Sequence, residues 1–179
     1  MKKISVIVAV YNQEKYIGRC LRSLIRQNIR KENLEIIVVN DGSIDKTAYA
    51  LELFHGDIKL VTHEANKGLP SAVNNGLKIA TGDYVIRVDS DDYVNENFLV
   101  ILQTYLDFNK HSFAVSCDYY IVDEFEKVLS RENSEKSPIA CGIMFKKSAI
   151  DEIGMMNEDF LLNEEKEYRK RFEKKYNID

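Results

Sequence analysis

Two hydrophobic patterns alternate along the first half of the chain. Short, nearly unbroken apolar runs fit strands, and the first two, rich in Val and Ile, suit burial within a parallel sheet. Apolar residues at helical spacing separate these runs. The sequence therefore predicts strands at Ile4–Val10, Ile36–Val39, Ile58–Thr62 and Tyr84–Val88, and helices at about Tyr16–Ile25, Lys46–Phe54 and Ser71–Ala80, with Asp45 capping the second helix.

The second half carries weaker patterns. The same reasoning predicts helices at Asn97–Phe108, Lys147–Ile153 and Glu164–Tyr176, two pairing strands at Phe113–Tyr120 and Ile121–Leu129, a polar loop at Arg131–Ser137 and a strand at Ile139–Phe145. Because strand and helix alternate first and no linker or repeat interrupts the chain, we expect one doubly wound α/β domain over residues 1–179.

Composition narrows the class of protein. The chain has 179 residues and a net charge of -4, which leaves no basic field for nucleic acid. Cys20, Cys117 and Cys141 lack metal-ligand spacing and fit reduced thiols in a cytosolic protein. The apolar run Ile4–Val10 is too short for a signal peptide or a membrane span. We expect a cytoplasmic chain, and peripheral association with the inner face of a membrane stays open.

Three polar clusters follow predicted strands directly. They are Tyr11-Asn12, Asn40-Asp41-Gly42-Ser43 and Asp89-Ser90-Asp91-Asp92. Ligands of doubly wound sheets bind beyond the carboxyl ends of the strands. The clusters therefore predict a ligand site at that edge of the sheet.

The acidic run Asp89 to Asp92 places three carboxylates within four residues. Such a run is either a solvated acidic turn or an oxygen-rich site for Mg²⁺ or Mn²⁺. Asp41 offers a hydrogen-bond acceptor to a base or ribose, and Gly42 permits a close backbone approach. An ordinary strand-to-helix turn explains Asp41 and Gly42 equally well.

Two further clusters have both a functional and an ordinary interpretation. Lys67 beside a helix N-terminus suits an anion, although a plain loop with Asn74 facing solvent fits too. In Glu164–Glu167 one carboxylate could act as a general base, although acidic residues are common in a first helical turn. His55, His63 and His111 are interpreted as surface or loop residues.

Together the motifs resemble the inverting glycosyltransferases of family 2, which have the GT-A fold. The resemblance rests on Ser5–Asn12, Glu35–Ser43, Asn66–Gly76 and Gly82–Asp92, in the family's order, and on the later segments Gly142–Lys147 and Ile153–Glu158. Glu164-Glu165-Lys166-Glu167 with Arg171 resembles the family's "ED" motif, with Glu replacing Asp.

The resemblance implies a function and a set of site residues. Residues 1–92 would bind a nucleotide-diphosphate sugar, with UDP as the default, and residues 93–179 would face a glycan or lipid-linked acceptor. A divalent cation would assist transfer with inversion, bound by Asp91 and Asp89, and Glu165, or else Glu164, would be the base. The implied donor contacts are Ala9, Tyr11, Asn12, Asp41, Ser43, Lys67, Gly68, Asn74, Asp89 and Ser90.

Two departures from the family pattern keep alternatives open. Many relatives carry Arg where this chain has Val73, and relatives usually continue beyond the position of Asp179. A non-catalytic or C-terminally truncated sugar-nucleotide-binding module is therefore an alternative. A nucleotidyltransferase is less favoured, because the turn after the first strand lacks a basic, Gly-rich loop.

Overall fold

The computed structural model describes residues 2–160 and 164–179. Its main sheet has six strands in the order β3-β2-β1-β4-β8-β5, and β6 and β7 form a separate hairpin. The strands are β1 (Ile4–Val10), β2 (Leu34–Asn40), β3 (Lys59–Thr62), β4 (Tyr84–Arg87), β5 (Ala114–Val115), β6 (Tyr119–Val122), β7 (Val128–Glu132) and β8 (Met144–Lys146). The helices are α1 (Ile17–Ile25), α2 (Thr47–Glu52), α3 (Leu69–Ile79), α4 (Phe98–Phe108), α5 (Lys147–Ile153) and α6 (Glu164–Glu173), with a 3₁₀ turn at Lys31–Asn33.

The four strands of the first half run parallel, as their sequences predict. β1 pairs with β2 on one side and with β4 on the other, and β3 pairs with β2. β1 is buried along almost its whole length, which explains its unbroken apolar sequence. The predicted doubly wound α/β sheet is confirmed.

Helices cover both faces of this sheet. Tyr84 and Ile86 of β4 pack on one face with residues of α1 and α4, while Val85 packs on the other face with α3. A Cβ at Gly76 of α3 would lie 2.7 Å from Ile7 Cγ2. The absence of a side chain at Gly76 therefore allows α3 to approach β1 closely.

A buried carboxylate joins the beginnings of the central strands. Glu35 accepts hydrogen bonds from Ser5 Oγ at 2.5 Å, Lys59 Nζ at 2.7 Å, Thr81 N at 2.7 Å and Lys3 Nζ at 3.0 Å. Burial alone would raise the pKa of Glu35, but these hydrogen bonds outweigh it and hold the pKa far below its usual range. The ionised carboxylate is thus part of the folded structure.

The second half departs from the sequence prediction in its pairing. Tyr119–Val122 pairs with Val128–Glu132 in a hairpin, so the predicted pairing of Phe113–Tyr120 with Ile121–Leu129 is wrong. Arg131, predicted in a loop, lies in β7. The predicted strand at Ile139–Phe145 is reduced to Met144–Lys146, antiparallel to β4 and β5.

Long-range contacts cause these differences. Ala114 of β5 forms a bridge with Ile178, so its partner lies near the end of the chain. α6 ends at Glu173 and not at Tyr176, because Tyr176 stacks on Phe113 with ring centroids 4.3 Å apart. Within residues 2–160 and 164–179, no helix combines the length and apolar character needed to cross a membrane.

Candidate functional site

The three polar clusters meet at the carboxyl edge of the sheet. Asp41 N donates to Val10 O at 2.9 Å, which places the turn after β2 beside Tyr11. Ile7 of β1 is paired with Arg87 of β4. Extending this register by two residues places Ala9 beside Asp89. The three clusters therefore lie side by side at the carboxyl edge of the sheet, as the sequence predicts.

The loops after β1 and β2 are tied to each other by side chains. Asn12 N donates to Ser43 Oγ at 3.0 Å, and Ile44 N donates to Asn12 Oδ1 at 2.9 Å. Asn12 has a φ of 53°, a left-handed conformation that Asn tolerates. Tyr11 is 42% exposed. Asn12 and Ser43 thus join the two loops, and the donor contacts of Tyr11, Asn12 and Ser43 stay predictions.

Asp45 lies two residues before α2, which begins at Thr47. It accepts a hydrogen bond from Thr47 N at 2.9 Å. The residue at the N-cap itself is Lys46, whose side chain makes no capping hydrogen bond. Asp45 therefore caps the first residue of α2 with its side chain, as predicted, but from the position before the N-cap residue.

Asp41 is buried and its carboxylate is largely engaged within the protein. It accepts hydrogen bonds from Lys67 N and Gly68 N, both at 2.9 Å, and lies 2.6 Å from His63 Nδ1. His63 Nε2 in turn lies 2.8 Å from Asn75 Nδ2. In the described conformation Asp41 therefore organises the loop before α3, and its contact with the donor stays a prediction.

His63 lies in the loop that follows β3, as one of the two alternatives predicts, but it is buried and not at the surface. A sequence signal for this existed: His63 directly follows β3, at the same edge as the other clusters. Its burial is stabilised by the polar partners on both ring nitrogens, Asp41 and Asn75.

The turn at Gly42 approaches the loop before α3 very closely. Gly42 has a φ of +69°, and a Cβ there would lie 2.5 Å from the carbonyl carbon of Ala65. Gly68, with a φ of 90°, is the N-cap of α3 and brings no side-chain cap to it. The side chain of Lys67 is exposed beside this N-terminus, where it could meet an anion.

Asn74 is buried and not facing solvent. Its Nδ2 donates to Met156 O at 2.9 Å and to Glu158 Oε1 at 2.8 Å, and its Oδ1 accepts from Met156 N at 2.9 Å. The Asn74 hydrogen bond lowers the pKa of Glu158. Asn74 therefore anchors the segment between α5 and α6, and a donor contact for it stays a prediction.

The acidic run gathers a mixed group of ligand atoms. Those of Asp89, Asp92 and Cys141 lie within 4.8 Å of one another, and Cys141 Sγ donates to Asp92 Oδ2 at 3.2 Å. Burial raises the pKa of Asp92, and the charges of Asp89 and Asp91 raise it further, against the hydrogen bond from Cys141. Ser90 is buried between these acids.

This group fits a divalent cation. Two carboxylates that crowd one another supply the oxygen ligands that Mg²⁺ and Mn²⁺ prefer, and a cation would relieve their repulsion. Asp91 is exposed outside the group, and its backbone carbonyl accepts from Arg19 Nη2 at 3.1 Å. The metal roles of Asp89 and Asp91 stay predictions, and Asp92 and Cys141 join them as candidates that the spacing of the run did not reveal.

A cavity of about 440 Å³ connects Asp89 with α6. Asp89 and Glu165 both line it, and Glu164, which is 8% exposed, does not. The rest of the lining is mostly apolar, from residues such as Ile7, Val73, Val85, Phe145, Ile150 and Met156. The cavity therefore brings the predicted base into the same space as the predicted metal ligand.

Arg87 was missed by the sequence analysis. It lines the cavity, and its Nε lies 2.9 Å from Asp89 Oδ1. The available signal was an arginine inside an otherwise apolar buried strand, two residues before the acidic run.

Comparison with known proteins agrees with the fold. The profile of Glycosyl transferase family 2 matches residues 5–171. An uncharacterized glycosyltransferase of Haemophilus influenzae is 39% identical over 126 residues, which cover 69% of this chain and 38% of that protein. Poly(ribitol-phosphate) beta-N-acetylglucosaminyltransferase TarS of Staphylococcus aureus is 41% identical over 110 residues, 60% of this chain and 19% of that one.

Solved structures extend the comparison to the whole domain. TarS residues 1–349 in complex with UDP-GlcNAc superimposes with a TM-score of 0.80 at 26% identity, covering 94% of this chain and 52% of that one. The mannosyltransferase PcManGT of Pyrobaculum calidifontis, in complex with GDP-Man and Mn²⁺, gives a TM-score of 0.74 at 27% identity, covering 92% and 50%. The chain thus spans about half of these solved chains and less of the curated relatives. The sequence motifs, the topology of the sheet and these matches together show that the chain belongs to glycosyl transferase family 2 and has the GT-A fold.

Proposed function

We propose that this domain transfers a sugar from a nucleotide-diphosphate donor to an acceptor hydroxyl, with inversion and with the help of a divalent cation. The observation that carries the proposal is the shared cavity, in which Asp89 at the carboxyl edge and Glu165 of α6 line one space. An inverting displacement needs a base and a leaving-group site around one anomeric carbon.

The donor side of the proposal uses the carboxyl edge. Tyr11 presents an exposed ring at the end of β1, where a base could stack. Lys67 and the N-terminus of α3 lie next to the loop that Asp41 organises, and they favour the negative charge of a phosphate. A divalent cation held by the acidic run would neutralise the departing diphosphate.

The acceptor side uses α6. Glu165 would remove the proton from the acceptor hydroxyl, and the oxygen would then attack the anomeric carbon on the face opposite the diphosphate. Apolar residues around the cavity exclude water, which would otherwise compete as the acceptor. Glu165 is preferred to Glu164 as the base because Glu165 faces the cavity.

The relatives guide the choice of substrates. TarS has been solved with UDP-GlcNAc and PcManGT with GDP-Man, so the nucleotide differs among structures of this fold. We propose a UDP-sugar for this chain, since TarS gives the higher TM-score of the two. The acceptor would be a glycan or a lipid-linked saccharide, and a lipid-linked one would bring the domain to the inner face of a membrane.

A donor panel tests the proposal. UDP-, GDP- and dTDP-sugars are incubated with the purified chain and Mn²⁺, with and without EDTA, and both binding and release of the nucleoside diphosphate are measured. We expect Mn²⁺-dependent binding and slow hydrolysis of a UDP-sugar. Binding without hydrolysis or transfer would favour the non-catalytic module, and no binding of any donor would refute the proposal.

A further inference from the structure

Arg87 places a charge in an otherwise apolar row of the sheet. Side chains alternate between the faces of a strand, so Val85 and Arg87 of β4 share the face that lines the cavity. The Arg87 side chain is only 12% exposed. Since a guanidinium stays charged at physiological pH, its burial requires polar or anionic partners.

Asp89 supplies part of that requirement. Arg87 Nε lies 2.9 Å from Asp89 Oδ1, as an ion pair without hydrogen-bond alignment, and Nη2 donates to Oδ2 at 3.3 Å. Arg87 Nη1 is buried and has no hydrogen-bond partner among residues 2–160 and 164–179. A ligand oxygen in the cavity would satisfy this nitrogen.

We propose that Arg87 binds a phosphate oxygen of the ligand that fills the cavity, and that its ion pair with Asp89 couples this binding to the cation. The inference rests on the proposed function, because the cation and the phosphate are those of the transfer reaction. The phosphate belongs either to the donor diphosphate or to the acceptor, and both have the same chemistry toward a guanidinium.

The coupling follows from charge. A cation at Asp89 competes with Arg87 for one carboxylate and is repelled by the guanidinium. A phosphate beside both positive charges removes this penalty, so each ligand raises the affinity for the other. Arg87 therefore weakens binding of the cation alone and strengthens binding of the phosphate.

The test compares wild type, Arg87→Met and Arg87→Lys, with Arg26→Met as the matched control. Arg26 is exposed at the C-terminal end of α1, and its loss changes the net charge equally. Mn²⁺ binding without nucleotide is followed by electron paramagnetic resonance. UDP binding at saturating Mn²⁺, and inorganic phosphate binding to the UDP-saturated protein, are followed by calorimetry.

For Arg87→Met we expect about fivefold tighter Mn²⁺ binding and about fivefold weaker binding of one anion. Weaker UDP binding assigns Arg87 to the donor, and weaker phosphate binding assigns it to the acceptor. Arg87→Lys retains the charge, so its Mn²⁺ affinity should stay near wild type, and Arg26→Met should change nothing.

Unchanged or weaker Mn²⁺ binding in a folded Arg87→Met, or unchanged affinity for both anions, would overturn the inference. If Arg87→Met does not fold, Arg87→Lys decides, because it keeps the charge but lacks the guanidinium nitrogen Nη1 that would contact the phosphate. We then expect weaker binding of one anion at unchanged Mn²⁺ affinity. An increase in Mn²⁺ affinity, or unchanged affinity for both anions, contradicts the account. Wild type that binds neither Mn²⁺ nor UDP would instead refute the proposed function.

Discussion

The two sides of Asp89 use their polar groups in opposite ways. On the donor side, Asn12, Ser43 and Asp41 make hydrogen bonds within the protein. On the other side, Glu165 of the acceptor side and Arg87 of β4 line a mostly apolar cavity. The donor side is thus rigid before a ligand arrives, while the acceptor side keeps its reactive groups available.

This difference shows that side chains in a sequence motif can hold neighbouring loops together, in addition to any contact that they make with a substrate. Asp41 lies in the motif after β2, yet its carboxylate accepts two backbone hydrogen bonds from the loop before α3. The Asp41 side chain thus holds the loop that carries Lys67 in place. The cavity instead contains Glu165, to which we assign the proton transfer, and Arg87, to which we assign a phosphate contact.

Loss of the proposed base should give the largest effect. Glu165→Gln keeps the shape of the side chain but removes its basicity, so we expect transfer to fall by about 10² to 10⁴-fold with donor binding unchanged. Steady-state transfer and calorimetric donor binding measure the two effects. Glu164→Gln is the neighbouring control, and full transfer by Glu165→Gln would remove the residue from this role.

Changes in the acidic run should separate metal binding from the rest of the site. For Asp89→Asn and Asp91→Ala we expect metal-dependent UDP binding to weaken at least about tenfold, because each loses a ligand charge. Binding with and without EDTA measures the metal-dependent part. Asp92→Asn is measured alongside. If Asp92→Asn weakens metal-dependent UDP binding and Asp91→Ala does not, the metal ligands are Asp89, Asp92 and Cys141.

A substitution at Gly42 should break the rigid donor side. Gly42→Ala places a Cβ 2.5 Å from the backbone of Ala65 at a φ of +69°, so we expect the free energy of unfolding to fall by about 2 kcal/mol. Urea unfolding measures it. Gly56→Ala is the matched control, because a Cβ there meets nothing within 4 Å. Equal stability of both variants would show that the turn can relax.

Glu35 should make the stability of the folded sheet sensitive to acid. Its pKa is depressed in the folded protein from an ordinary value of 4.5. Its stabilisation is therefore complete above about pH 4.5 and decreases as the pH falls from there toward the depressed value. Glu35→Gln should lower the free energy of unfolding by about 2 kcal/mol at pH 7, a figure reduced because the lysine partners are partly exposed to solvent. The free energy of unfolding of this variant should also decrease less in acid than that of wild type.

The control for this experiment is Glu32→Gln, whose carboxylate is largely exposed. Urea unfolding at pH 7, 5 and 4 should show the wild-type pH dependence in Glu32→Gln. If the free energy of unfolding of Glu35→Gln has the same pH dependence as that of wild type, the ionised Glu35 does not stabilise the folded protein.

The sequence predicts the donor side well and the acceptor side poorly, for a physical reason. β1, β2 and β4 are buried on both faces, so their apolar runs identify them, and the polar residues that follow mark the carboxyl edge. β5 and β8 have two and three residues and take their places through contacts with Ile178 and β4. Local patterns cannot specify such partners.

The same limit applies within the site. The run Asp89 to Asp92 is visible in the sequence, but Cys141 reaches Asp92 from 49 residues away. His63 lies beside Asp41 because β3 pairs with β2, a contact that the local sequence does not specify. The prediction for Glu165 came from the family resemblance, and the cavity now gives a geometric reason to prefer it to Glu164.

The most direct test of the account is a crystal of this chain with Mn²⁺ and a non-hydrolysable UDP-sugar. The account predicts an anomalous Mn²⁺ peak at the carboxylates of the acidic run, with the anomeric carbon in the cavity between Asp89 and Glu165. A nucleotide bound elsewhere, or a sugar directed away from the cavity of Glu165, would contradict it.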